Sequence, residues 1–181
     1  MKNRLIGICC SSIMILLLFV SCSAATTPAS EEQSIVAQWS ESLKSVDYIE
    51  EDLQAGSEKE ETDYEWGDYI YRGYTVQPGL YFYTCSSSQG DILEVCAYCD
   101  TTLLDSQTTD YNGYEIYGYM SGILLATIDS ENIELVVDAL NLDDPDIFLQ
   151  SHNDSYTAND IDYKLIYDIT EGKMFFRATL Q

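Results

Sequence analysis

Short runs of aromatic and β-branched residues, punctuated by turn formers, fill the chain from residue 69 onward, and such a pattern commits a chain to sheet. The last run is the clearest. Met174, Phe176, Ala178 and Leu180 alternate with Lys173, Phe175, Arg177 and Thr179, so one face is apolar and the other mixed. Strands are expected over 69–76, 80–85, 92–99, 114–120, 123–128, 163–169 and 173–180. Gln77-Pro78-Gly79 and Thr170-Glu171-Gly172 supply turns between them, because proline presets one dihedral and glycine accepts a positive one. Neighbouring strands joined by short turns pair antiparallel, since parallel neighbours need long crossovers. Within the series, 129–141 reads as a helix with Ile133, Val136, Val137 and Leu140 on its apolar face and Asn141 with Pro145 closing it. The expectation is a mainly β (α+β) fold, an antiparallel sheet or sandwich of about seven strands with this one helix in the domain.

A second helix is expected ahead of the sheet, over 31–55. Val36, Trp39, Leu43, Val46 and Leu53 recur at helical spacing, Ser30 with Gln33 forms a capping box, and Glu31 and Glu32 suit the positive end of the helix dipole. Its stripe must be covered, and packing onto the following domain is the simplest cover. Residues 56–63 read as an acidic linker and 64–181 as a single tyrosine-rich β domain, long enough to build one core without a metal or disulfides.

The N-terminus carries an address. Lys2 and Arg4 precede an apolar stretch whose unbroken part is only residues 13–20, too short to span a bilayer and typical of a cleaved leader, here 1–21. Phe19-Val20-Ser21-Cys22 resembles the lipobox of bacterial lipoproteins, matching at Val20, Ser21 and Cys22 and departing at Phe19, where leucine is usual. The resemblance implies lipidation at Cys22 and an extracytoplasmic protein held to the membrane only through its acyl chains, with 22–30 as a flexible tether. Ordinary cleavage after Cys22-Ser23-Ala24, giving a secreted soluble protein, is the alternative. Without the leader, six Lys and Arg face 31 Asp and Glu, a net charge of −25. That balance argues against nucleic-acid partners, whose binding relies on cationic side chains displacing counterions.

The residues offer little catalytic chemistry. Cys85 and Cys96 lie equidistant from the midpoint between Gly90 and Asp91, so a hairpin there would oppose them and makes them a disulfide candidate. Cys96-Ala97-Tyr98-Cys99 has the spacing of a redox pair, yet in a strand its thiols point to opposite faces. The single histidine, His152, lies in a polar stretch, and no zinc ligand set accompanies it. Asp143-Asp144-Pro145-Asp146 and residues 153–162 are acidic enough to suggest weak calcium binding, but they lack the glycine and closing glutamate of an EF-hand. No cofactor is expected otherwise.

The 15 tyrosines stand out. Tyrosine combines a large apolar ring with a polar tip and little side-chain entropy, so it serves recognition well. Alternation places Tyr81 with Tyr83, and Tyr117 with Tyr119, and these four are the candidate ligand-binding residues. The expected function is a non-enzymatic binding or interaction module for an envelope polysaccharide, peptide or protein. The alternatives are a secreted hydrolase or thiol-disulfide exchange protein, and an acidic inhibitor or structural subunit that binds a basic partner.

Overall fold

The computed structural model describes residues 31–64, 67–100, 113–144, 146 and 149–181. The stretches expected to be leader, lipobox and tether, residues 1–30, lie outside them. The chain runs α1 (Glu31–Lys44), β1 (Ala55–Tyr64), β2 (Gly67–Gln77), β3 (Leu80–Ser87), β4 (Ile92–Asp100), α2 (Gly113–Ile128), α3 (Ile133–Leu140), β5 (His152–Ala158), β6 (Ile161–Asp168) and β7 (Lys173–Leu180). The seven strands form one antiparallel sheet in the order β1-β2-β3-β4-β7-β6-β5. Two meanders therefore meet where β7 pairs with β4, and the helical crossover between them delivers the chain to the far edge. The fold is mainly β in the α+β sense, a single sheet with helices rather than a sandwich of two sheets.

Strand alternation sorts the sheet into two faces. Phe82, Val95, Ala97, Met174, Phe176, Ala178, Tyr163 and Leu165 point to one side and are buried with the apolar residues of all three helices in a single core. From α1 come Ile35, Trp39 and Leu43, one turn apart, with Trp39 stacked on Phe82 at a centroid distance of 4.5 Å. The sheet thus covers the α1 stripe, as the sequence pattern suggested. The helix ends at Lys44 rather than near residue 55, because Asp47 takes a positive φ of 60° and turns the chain. Leu53 returns to the core in an extended segment whose amide donates to Ser40 Oγ at 3.0 Å.

Three expectations are corrected. Residues 114–120 and 123–128 form one helix, α2, instead of two strands. Its described part is buried nearly all round, with Tyr117, Met120, Ile123, Leu124 and Leu125 in the core, so it has no polar face to reveal a helical period. Residues 56–63 belong to β1, an edge strand, instead of a linker. His152 opens β5, the other edge, where a polar loop was expected.

Candidate functional site

The sheet face turned away from the helices carries a row of rings. Tyr71 on β2, Tyr81 and Tyr83 on β3, Tyr98 on β4 and Phe175 on β7 share that face by alternation and register. Tyr83 lies 5.6 Å from Tyr71 and 6.2 Å from Tyr81, Tyr81 lies 5.7 Å from Tyr98, and Tyr98 lies 4.8 Å from Phe175, all centroid to centroid. Successive planes are tilted by 29° to 41° along this path, as rings mounted on a twisted sheet will be. Gly73 is the cross-strand partner of Tyr83 and places no side chain between the rings of β2 and β3. All five rings are half-buried. Burial raises the Tyr71, Tyr83 and Tyr98 phenols above their ordinary value, which already keeps a phenol protonated at neutral pH.

One end of the row meets a polar cluster. Glu94 is buried and accepts a hydrogen bond from Thr179 Oγ1 at 3.2 Å, while Arg177 Nε lies 3.5 Å away, close enough for Coulombic attraction although Nε makes no hydrogen bond. Burial raises the Glu94 pKa, with Arg177 and the hydroxyls of Thr179 and Tyr71 opposing the shift. Cys85 and Cys96 sit beside it. They share a face, but the pairing register sets Cys85 against Glu94 and Cys96 against Tyr83, and both thiols are free. The β3–β4 turn spans Ser87 to Asp91 and is centred on Gln89 rather than between Gly90 and Asp91, so the direct opposition needed for the candidate disulfide is lost to the position of the turn. Cys99 points to the core face, where it is also free and buried. Burial pushes the Cys85 and Cys99 thiols up to about 12 and raises Cys96 as well, the reverse of what a reactive thiol needs. Native alkylation of the three by maleimide at neutral pH is therefore expected to be at least about a thousandfold slower than in denaturant, since only thiolate reacts. Rapid labelling of any one of them in the folded protein would contradict this burial.

The sequence-derived tyrosines divide between the two sides of the sheet. Tyr81 and Tyr83 belong to the row. Tyr117 and Tyr119 are helical, Tyr117 buried in the core and Tyr119 packed 5.8 Å from Tyr48, so neither joins it. Tyr71, Tyr98 and Phe175 were missed, although Phe175 gave a signal as a large apolar residue on the otherwise mixed face of the last strand. His152 Nδ1 lies 3.1 Å from Asp154 Oδ2 on edge strand β5. Three strand spacings, about 14 Å, separate that strand from the cysteines of β4, too far for a Cys-His pair. Of the acidic stretches, 153–162 is the β5–β6 hairpin, and Asp162 is engaged by Thr157 and Gln181 at 2.6 Å each. Asp144 accepts the Asp146 amide at 2.9 Å. No group of three or more potential metal ligands occurs among the described residues.

A second concavity lies between α1, the start of β1 and the β3–β4 turn, with a volume of about 850 Å³. At its base Glu32 accepts hydrogen bonds from Arg72 Nη1 (2.5 Å), Tyr74 OH (3.0 Å) and Thr84 Oγ1 (2.5 Å). These partners engage the carboxylate within the protein, so the cluster fastens the helix to the sheet. No protein-family model, curated protein or solved structure matches the chain.

Proposed function

We propose that this protein is an exported, lipid-anchored binding module that presents the ring-bearing face of its sheet to a ligand outside the cytoplasm. The observation that carries the reading is the row from Tyr71 to Phe175: five rings in mutual contact on a face that receives none of the helix packing among the described residues. The largest contiguous apolar patch on a protein's surface is often its functional one. The lipobox resemblance at Cys22 and the tether through Ser30 support the anchoring, and they would hold the domain a short distance above the membrane.

Replacing Tyr81, Tyr83 and Tyr98 together with serine is expected to lower retention on the native envelope by at least about a hundredfold, since each lost anchor removes about 1 kcal/mol or more. Unaltered retention by a variant that keeps its circular dichroism spectrum would dispose of the reading. Anchoring has its own test. Cys22→Ser should shift the protein from the membrane to the soluble fraction, and an unchanged distribution would remove the lipid from the proposal.

A further inference from the structure

We infer that the ligand of the ring-bearing face is a neutral polysaccharide, an inference that rests on the binding role proposed above and specifies its partner. Three features of the face select this chemistry.

The first is shape. The rings follow a path across β2, β3, β4 and β7, four adjacent strands, so the row extends over about 14 Å at one strand spacing per step. It is long, narrow and gently twisted, which suits a linear polymer laid across the strands. The faces of pyranose rings expose C–H groups that pack on aromatic rings, while their hydroxyls take hydrogen bonds at the edges. The phenols of Tyr83 and Tyr98 supply such edge donors, while that of Tyr71 is engaged by Glu94.

The second is charge. The ionic groups near the row flank it: Glu94, Arg177 and Lys164 on one side, and Asp100 opposite Lys173, itself 2.8 Å from Glu171, on the other. The strip between them is uncharged. An anionic polymer would meet a chain of net charge −23, or −25 without its leader, with no row of cations along the strip among the described residues. A basic peptide would meet Asp100 beside Tyr98 but no charge along the strip itself, and its binding would weaken with salt.

The third is area. Each ring exposes about a third of its surface or less, so with roughly 200 Å² available per aromatic side chain the five together offer at most about 350 Å². A stable protein partner needs about 800 Å² from each side. The patch is short of that by half, and a second copy of this acidic chain would add repulsion. For a sugar polymer of two or three units in contact, the same patch is sufficient.

The test uses the full lipidated chain and the envelope from which it is extracted. That envelope is divided into a protein extract and a polysaccharide fraction freed of protein by protease and of charged polymers by anion exchange. The neutral polysaccharide is expected to compete for retention of the wild-type protein, equally at low and high salt. Tyr81→Ser and Tyr98→Ser should each weaken binding to that fraction about tenfold, while Phe175→Tyr, which keeps a ring, should leave it within a factor of two or three. Competition by the protein extract alone, or binding that collapses with salt, would overturn the glycan assignment while leaving the binding role intact. A concentration-dependent dimer abolished by the ring variants would overturn it in favour of self-association. If retention never depended on Tyr81, Tyr83 and Tyr98, the binding role and its ligand would fall together.

Discussion

Trp39→Ala is expected to destabilise the fold by about 4 kcal/mol, within the range for removing a large aromatic side chain from a packed core. Trp39 is fully buried, stacked on Phe82 at 4.5 Å and edge-on to Tyr74 at 6.3 Å. Its loss removes the main contact between α1 and the sheet and leaves a cavity at the join. Domains of this size are stable by only about 5–15 kcal/mol, so the change is a large fraction of the whole. A fall in melting temperature of roughly 10 °C should accompany it. Trp39→Phe should cost far less. The indole Nε1 is buried without a hydrogen-bond acceptor among the described residues, and a phenyl ring retains much of the stacking while discarding that unsatisfied donor. Urea denaturation distinguishes two ways the alanine variant can fail. An unchanged slope with a lower midpoint means that the intact fold is weaker, whereas a reduced slope means that α1 has left the sheet before unfolding, exposing its area early. A loss below about 1 kcal/mol would show that α1 is held by something other than this packing.

The same contact illustrates what the amino-acid pattern revealed. The α1 stripe and the alternation in β7 were visible because each element has one wet face and one dry face, so its period is written in polarity. The central strands β2, β3, β4, β6 and β7 could be read for this reason, and so could α3, whose Asn141 adopts the left-handed conformation that closes it. Where the two-faced condition fails, the pattern fails with it. In α2 the residues from Tyr117 to Leu125 meet the sheet on one side and other helices around them, while Tyr117 and Tyr119 mimic strand composition and Ser121-Gly122 mimic a turn. Polarity then carries no period, and length alone could have argued for a helix. The two edge strands fail in the opposite sense. β1 contains Glu58, Lys59, Glu60, Glu61 and Asp63, and β5 exposes Asn153, Asp154 and Ser155. Edges are paired on one side only and use charge to discourage further pairing, so they resemble loops. Seven strands were expected and seven are present, but two of the expected ones became α2 and two unexpected ones are these edges.

The candidate site was legible to the same degree. Tyr81 and Tyr83 follow from alternation in a strand that was placed well. Tyr117 and Tyr119 went astray with α2, and the cysteine pair went astray because the hairpin turns about Gln89 instead of between Gly90 and Asp91, which changes every cross-strand partner. Which strands lie side by side is a property of the whole topology. The contact between Tyr98 and Phe175 joins residues 77 positions apart in sequence, and it exists because β7 returns to the middle of the sheet.

Glu32→Leu should be nearly as damaging as the loss of Trp39, for an electrostatic reason. The carboxylate lies at the start of α1 with its side chain 11% exposed, against 22% for Arg72, and it accepts bonds from Arg72, Tyr74 and Thr84 together. Glu31 beside it accepts the Ile92 amide at 3.3 Å. Removing Glu32 takes the carboxylate away from a guanidinium and two hydroxyls beneath the helix, and breaking a buried pair by deleting one partner costs about 3–5 kcal/mol. Partial exposure of Arg72 argues for the lower end, about 3 kcal/mol. Arg72→Leu should cost a comparable amount, since it leaves the carboxylate buried with neutral donors alone. The double variant Glu32→Leu with Arg72→Leu should be more stable than the sum of the single losses implies, by about 2 kcal/mol, because it leaves no uncompensated charge. Strict additivity in that cycle would mean that the two groups do not sense each other in the folded protein. The geometry favours coupling for a structural reason too. Apolar contacts such as Trp39 on Phe82 tolerate small shifts of the helix along the sheet, whereas a carboxylate shared by three donors from β2 and β3 is satisfied in one register. Packing therefore supplies most of the docking energy of α1, and Glu32 selects the position at which that energy is collected.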